Sequence, residues 1–385
     1  MSNPPRVLSP LALSGLAALL VGLGLGRFAY TALVPGLIGE GWIAAGEAGP
    51  LAAANFAGYL VGALGAAPLA RRFGAATTLR LTMAATAAAL VAGAVPWGLV
   101  WLALARFAAG IGGAVLMVVA PTAVLRFAEP ARRGAIAGIV FTGIGLGIAL
   151  SGTLVPILAR SGVAATWIAL AVAASILALA TRNRWPDVPL SPPAPHEKGL
   201  PKGFLLFALA YCTDAAGFVP HTVYWVDFVA RELGRGLPAG GLQWTIFGLG
   251  AALGPIVVGR AADRFGFRAA LSGALLVKGL AVALPLLSVG FPALALSSLV
   301  VGALTPGAAM LASGRAGEIA GVGRHAGAWA LATAAFAATQ ALAALAFSRL
   351  LAATGSYLAL YAGGAILLVL GAGLVLIGAR PTPRA

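Results

Sequence analysis

Four ionisable side chains lie deep inside long apolar stretches of this sequence: Arg27, Arg106, Asp214 and Lys278. Each costs roughly 2.5–3.5 kcal/mol to hold in a lipid-like interior, so these are the first places to look for chemistry. Arg27 shares a helical face with Tyr30 and Thr31 and follows Gly22, Gly24 and Gly26, which allow close packing or a local bend. It reads as a cavity cation that receives an anionic group, or as a cation neutralised by an acid on a neighbouring segment. Arg106 has Gly110 and Gly113 one and two turns along its own face, leaving room at the guanidinium. Its alternatives are solute or coupling chemistry, and a packed arginine bonded to carbonyls at a helix break. Asp214 shares a stripe with Tyr211, Phe218 and His221. Poised between burial and the pull of Arg27 or Arg106, it reads as a proton carrier, against a static ion pair. His221 either relays protons or is a hydrogen-bonded wall residue.

The elements that hold these groups are membrane helices. Only 9% of the residues are charged, 61% are hydrophobic and the mean hydropathy is +0.98, whereas a soluble domain is about a quarter charged. Apolar stretches run to lengths that cross a bilayer core of roughly 30 Å, and spans of this length satisfy their own backbone only as helices. The short alternating segments of a transmembrane barrel are absent. Twelve spans are expected, at about 9–38, 48–69, 77–95, 98–125, 135–158, 163–182, 203–228, 238–260, 269–288, 291–313, 326–350 and 356–379. The first reads as a retained span rather than a cleaved signal, because no small-residue cleavage site accompanies it.

The proline-rich stretch 183–202 cannot continue a helix and divides the chain into a bundle at 1–182 and a second at 203–385, with the linker between. Eighteen of the 25 Lys and Arg residues fall in loops on one side and only four on the other. The positive-inside rule then places both termini and the linker in the cytoplasm.

A duplication runs through the chain. The segment GRAADRFGFR (Gly259–Arg268) has a weaker copy, APLARRFGAA (Ala67–Ala76), and Gly74 and Gly266 stand 192 residues apart. Gly58, Gly62 and Gly110 recur as Gly250, Gly254 and Gly302 at the same offset. The pairs Arg126/Glu129 and Arg315/Glu318 follow the fourth and tenth spans. Six spans per half is an even number, so the two halves are parallel repeats.

Enzyme and nucleic-acid readings find little support. The net charge of +15 is spread through short loops rather than gathered into a footprint. Cys212 is the single cysteine, excluding a disulfide within the chain, and the three histidines form no ligand cluster. No glycine-rich loop followed by Lys-Ser/Thr is present to hold ATP phosphates, so uphill transport would draw on an ion gradient.

These features resemble the major facilitator superfamily. GRAADRFGFR is similar to that family's loop signature G-x-x-x-D-R-x-G-x-R, and Arg106-Phe-Ala-Ala-Gly110 to its Arg-x-x-x-Gly signature. A narrower resemblance, to the YbfB/YjiJ-like subfamily, rests on GLGRFAYTALVP (Gly24–Pro35), NFAGYLVGAL (Asn55–Leu64), ARFAAG (Ala105–Gly110) and FTGIGLGIALSG (Phe141–Gly152). The resemblance implies an all-α membrane protein of twelve transmembrane helices in two parallel six-helix repeats. It implies a secondary transporter of a small organic solute, working by alternating access as a monomer in a bacterial inner membrane; two pathway arginines against one carboxylate favour an anionic or zwitterionic solute. No cofactor is expected; a proton gradient would supply the energy. Efflux is slightly favoured over uptake, although Gly143–Pro156 lacks the family's antiporter Gly-Pro pair.

By family position Arg27 lines the pathway, Arg106 serves coupling or solute contact, and Asn55, Tyr59, Thr142 and Gln340 lie near the pathway, with Asn55 and Gln340 the leading candidates. Lys278 falls on a helix that is peripheral and lipid-facing in the family, so snorkelling or a local partner is expected for it. Arg71, Arg72 and Gly74 in one loop and Asp263, Arg264, Gly266 and Arg268 in the other are expected to gate. Asp263 would latch the cytoplasmic side, while the sister loop carries Arg71 in place of the acid. Two other classes fit the same fold: a lipid flippase or scramblase, whose head group the arginines would meet, and a receptor that has lost transport.

Overall fold

A computed structural model describes residues 9–129, 132–186, 201, 203–321 and 324–378. Among these the chain is helical, with no strand. Residues 187–200 and 202 of the expected linker lie outside the described residues.

The spans are α1 (Pro10–Gly39), α2 (Ala45–Phe73), α3 (Ala75–Gly93), α4 (Leu99–Leu125), α5 (Ala135–Ser161), α6 (Val163–Thr181) and α7 (Phe204–Glu232). A 52-residue element, Gly236–Leu287, follows. As one straight helix it would measure about 78 Å, more than twice a bilayer core. It is two spans, because Gly266 leaves the helical region at φ 77° and ψ 159° and turns the chain back. These are α8 (236–265) and α9 (267–287). Then come α10 (Phe291–Ala320), α11 (His325–Thr354) and α12 (Tyr357–Ile377). The twelve expected spans are present, and the expected loop at Gly259–Arg268 proves to be helix on both sides of one glycine.

The duplication is built into the packing, at the offset seen in the sequence. Gly74 turns α2 into α3 at φ 80° and ψ 150°, nearly the conformation of Gly266. In the first half a Cβ on Gly58 would overlap the Phe107 carbonyl, one on Gly62 the Ile111 carbonyl and one on Gly110 the Asn55 carbonyl. In the second half Gly250 meets Leu299, Gly254 meets Ala303 and Gly302 meets Phe247, and every one of these partners is displaced by the same 192 positions. The α2–α4 and α8–α10 crossings are therefore one crossing used twice. Glycine is required there because the backbones touch.

α5 packs along α8 and α2 along α11, so these pairs join the first six helices to the last six. Two spans are not regular. α1 carries a π-helical segment at Leu20–Phe28, and α7 ends its α-helix at Gly217 and resumes with π-helical turns at Pro220–Tyr224 and Phe228–Glu232. π-turns displace the face on which later side chains emerge and concentrate at functional positions. α1 and α7 are also where the first and third of the intramembrane charges lie.

Candidate functional site

Arg27 emerges from the π-helical segment of α1, half-buried, at the boundary between the two sets of helices. Its Nη2 donates to Oε1 of Gln340 on α11 at 2.7 Å, across 313 residues of sequence. Its Cζ lies 5.1 Å from the Phe28 ring centre, 4.8 Å from Phe56 and 5.2 Å from Tyr59. The guanidinium is therefore cradled by aromatic faces, an arrangement that attracts a cation without neutralising it. No acidic side chain pairs with it among the described residues. Its Nε and the Nε2 of Gln340 are buried with no hydrogen-bond partner in the structure.

The cradle continues into the second half through rings. Tyr211 of α7 lies 4.4 Å from Phe336 and 5.6 Å from Trp329, both on α11, and stacks on Phe207 at 6.2 Å. Phe336 in turn lies 6.1 Å from Phe218. Exposure rises along these helices in one direction. Gln340 is buried, while Phe336, Thr333 and Trp329 on successive turns of α11 are half-buried; on α2 Asn55 is buried and Tyr59 half-buried.

Beyond Arg27 in the other direction the bundle is shut. The Thr31 hydroxyl donates to the Thr222 carbonyl, joining α1 to α7. The Ser348 hydroxyl donates to the Gly46 carbonyl, joining α11 to the start of α2. Gly49 leaves no space beside Ala344 and Tyr224. The Tyr30 hydroxyl donates to the Ala48 carbonyl at 2.9 Å and is buried within this closed layer.

Arg106 takes the second of the roles open to it. Nη1 donates to the Gly26 carbonyl at 2.8 Å and Nη2 to the Arg27 carbonyl at 3.2 Å, where the π-helical segment of α1 ends. Its Cζ lies 4.4 Å from the Tyr30 ring centre, and the residue is only 4% exposed. Asn55 completes the arrangement, donating from Nδ2 to the Arg106 carbonyl at 2.8 Å. These two residues brace the backbone that presents Arg27. A space beside Arg106, bounded by Tyr30, Leu51, Leu90 and Trp167, is the size of a water and far too small for an organic solute.

Lys278 has the local partner that was one of its two alternatives, and Asp214 has an ion-pair partner other than the expected arginines. Lys278 does not reach toward lipid: it is fully buried, and its Nζ donates to Oδ1 of Asp214 at 2.7 Å and lies 4.0 Å from the Phe218 ring centre. Asp214 thus finds its cation on α9, not in Arg27 or Arg106. The reason is directional: the face of α7 that carries Asp214 packs into the second bundle, while Arg27 looks across the boundary.

His221 is separated from Asp214 by the interruption of α7 between Gly217 and Pro220. It shares its Nε2 with the Ser297 hydroxyl at 2.8 Å, stacks on Trp225 at 4.2 Å and meets Tyr361 edge-on at 5.3 Å. Its Nδ1 is buried without a partner in the structure. Thr142 donates to the Gly138 carbonyl of its own helix at 2.8 Å and adds nothing to the site.

Sequence reasoning passed over Asp227, buried near the end of α7. It pairs with Arg231 at 3.2 Å and accepts from the Tyr357 hydroxyl. The i, i+4 spacing of Asp227 and Arg231 was the available signal. Ser298 and Gln243 were also passed over. The Trp225 indole donates to Ser298, which donates to Gln243, both at 2.9 Å, forming a second buried polar link.

The residues expected to gate lie at the ends of α2 and α8, beside Gly74 and Gly266. Arg71, Arg72, Asp263 and Arg264 are exposed. Arg72 lies over Phe73 and Arg264 over Phe265, each at 5.4 Å, again one repeat apart. Among the described residues Asp263 has no ion-pair partner. Arg268 instead donates to the carbonyls of Val375 and Leu376 at the end of α12.

A family model described as an uncharacterised MFS-type transporter, YbfB, matches residues 19–376, nearly the whole chain. No curated protein matches it.

Proposed function

The chain belongs to the YbfB-like transporters of the major facilitator superfamily, and from that premise we propose that it carries a small organic anion across the membrane by alternating access, driven by a proton gradient. One observation carries the anion reading: Arg27 is a cation at the boundary of the two halves whose only side-chain hydrogen-bond partner among the described residues is the neutral amide of Gln340. Inside a membrane protein an uncompensated cation is retained for a ligand or an ion path. Arg27 and Gln340 hold the solute from opposite halves, with Tyr59 beside them, while Arg106, Asn55 and Tyr30 hold the shape of α1.

With both termini cytoplasmic, the closed layer at Thr31–Thr222 and Ser348–Gly46 faces outward and the half-buried walls at Tyr59, Phe336 and Trp329 open inward. The unpaired Asp263 then belongs to a released latch, to be re-engaged when the cavity turns outward. Solute binding at Arg27–Gln340 ties the halves at mid-depth, which suits a pivot about a midplane site. The protein acts as a monomer in the cytoplasmic membrane.

Proton coupling is assigned to the Asp214–Lys278 pair. A buried ion pair is seldom the most stable filling for such a site, since apolar residues of similar volume match or exceed it. α7, which carries Asp214, also supplies Tyr211 to the solute site. In liposomes carrying the double variant Asp214→Asn/Lys278→Met, solute counterflow is expected to persist while accumulation driven by a pH gradient of either direction is lost. Retained gradient-driven accumulation would remove the assignment. For the anion site, a thermal-stability screen of the purified protein is expected to find anions that raise its melting temperature and that Arg27→Gln renders silent. Stabilisation confined to cationic solutes would refute it.

A further inference from the structure

Resting on the anion reading of the Arg27 site, we propose that the solute is a planar aromatic monocarboxylate. The charge count comes first. A zwitterion would need an acid for its ammonium, but Asp214 is held by Lys278 and Asp227 by Arg231 and Tyr357. A dianion or phosphate would call on a second cation within reach, and the Arg106 guanidinium is 4% exposed with both Nη atoms directed to the Gly26 and Arg27 carbonyls. One negative charge matches what Arg27 leaves open.

The donors come next. Arg27 Nε and Gln340 Nε2 are buried without partners in the structure, and Gln340 is only 1% exposed, so two donors at the boundary of the halves are left to be satisfied. A carboxylate accepts in the plane of a guanidinium and has lone pairs left for an amide N–H.

The walls decide the rest of the solute. Phe56 and Tyr59 flank the guanidinium from the first half, and Tyr211 and Phe336, 4.4 Å apart, stand on the second. Tyr59, Phe336 and Trp329 are half-buried on the open side. An aliphatic chain would be tolerated there, but only a ring gains offset or edge-on contacts with several faces at once.

The test uses the full-length protein in detergent and titration calorimetry. The aromatic acids are benzoate, 4-hydroxybenzoate, phenylacetate and indole-3-acetate; the controls are cyclohexanecarboxylate, cyclohexylacetate and benzamide. At least one aromatic acid is expected to bind about tenfold more tightly than its saturated counterpart, the factor that favourable ring contacts supply, and benzamide is expected not to bind. Replacing Tyr59 and Phe336 by Leu should erase the preference for rings and leave acid binding in place. Equal binding of benzoate and cyclohexanecarboxylate would overturn the aromatic class while leaving the anion reading intact. Benzamide binding as well as benzoate would overturn both. Binding of none of the four aromatic acids would overturn the proposal, and the function reading would survive only through Arg27-dependent stabilisation by other anions. Because the ligand comparison is made on the unaltered protein, misfolding of a variant cannot obscure it.

Discussion

Replacing one partner of the Asp214–Lys278 pair is expected to cost far more than replacing both. The groups meet at 2.7 Å with side-chain exposures of 2% and 0%, and Phe218 covers the ammonium. At an effective dielectric of about 20, charges at that distance attract by roughly 6 kcal/mol before desolvation is charged against them. Removing one partner leaves a buried charge or a neutral polar group with no acceptor, a loss of about 3–5 kcal/mol. Lys278→Met and Asp214→Leu should each destabilise on that scale. The double variant Asp214→Leu/Lys278→Met deserts no charge and should lie within about 2 kcal/mol of the unaltered protein, on either side. Unfolding by SDS titration in mixed micelles, followed by tryptophan fluorescence, measures all four corners of the cycle. Simple additivity of the two single losses would refute the pairing, because independent sites add and contacting ones do not. A double variant expected to fold without the ion pair, this one or Asp214→Asn/Lys278→Met, separates proton coupling from stability.

Three further outcomes follow from particular contacts. Gly110→Val and Gly302→Val should each abolish a monodisperse peak in detergent size-exclusion chromatography, since even a Cβ would overlap the carbonyl of Asn55 or Phe247; overpacking of this kind costs about 1–3 kcal/mol or more. Gly273→Ala, where nothing lies within 4 Å, should be neutral or stabilise by up to about 1 kcal/mol, and equal damage at Gly273 would show that crowding is not the cause. Gly266→Ala and Gly74→Ala should each lower stability by about 1–2 kcal/mol in the same unfolding assay because φ is 77° and 80° there; unchanged stability at both would refute the strained turn. Asp263→Asn should bias the protein toward inward-facing states, read by the labelling rates of single cysteines placed on each face in a Cys212→Ser background, and equal rates on both faces before and after would dispose of the latch.

Much of this protein is legible in its sequence because the bilayer is a simple solvent. Span length, helical structure and loop charge are local properties, and a stretch such as Val163–Thr181 meets its requirement without reference to the rest of the chain. The repeat was legible too, because backbone contact at the α2–α4 and α8–α10 crossings tolerates only glycine, and both copies therefore kept it at Gly58, Gly62 and Gly110 and at their counterparts. Arg27 could be singled out by its cost alone. What the sequence could not settle was where each charge points. The stripe from Asp214 to His221 assumed one unbroken α-helix, and the structure interrupts that helix between Gly217 and Pro220; the Gly and Pro themselves were the warning. For Lys278 the sequence left lipid and a local partner open, and the structure gives it Asp214. Arg106 and Arg27 are alike in sequence, yet one bonds carbonyls that a π-helical segment presents and the other reaches across to the amide of Gln340. Composition and periodicity specify which side chains must be buried, because that energy depends on the residue itself. Only the tertiary structure decides which partner each one meets, because hydrogen bonds and ion pairs act over about 3 Å and Gln340 comes within that reach of Arg27 from 313 residues away.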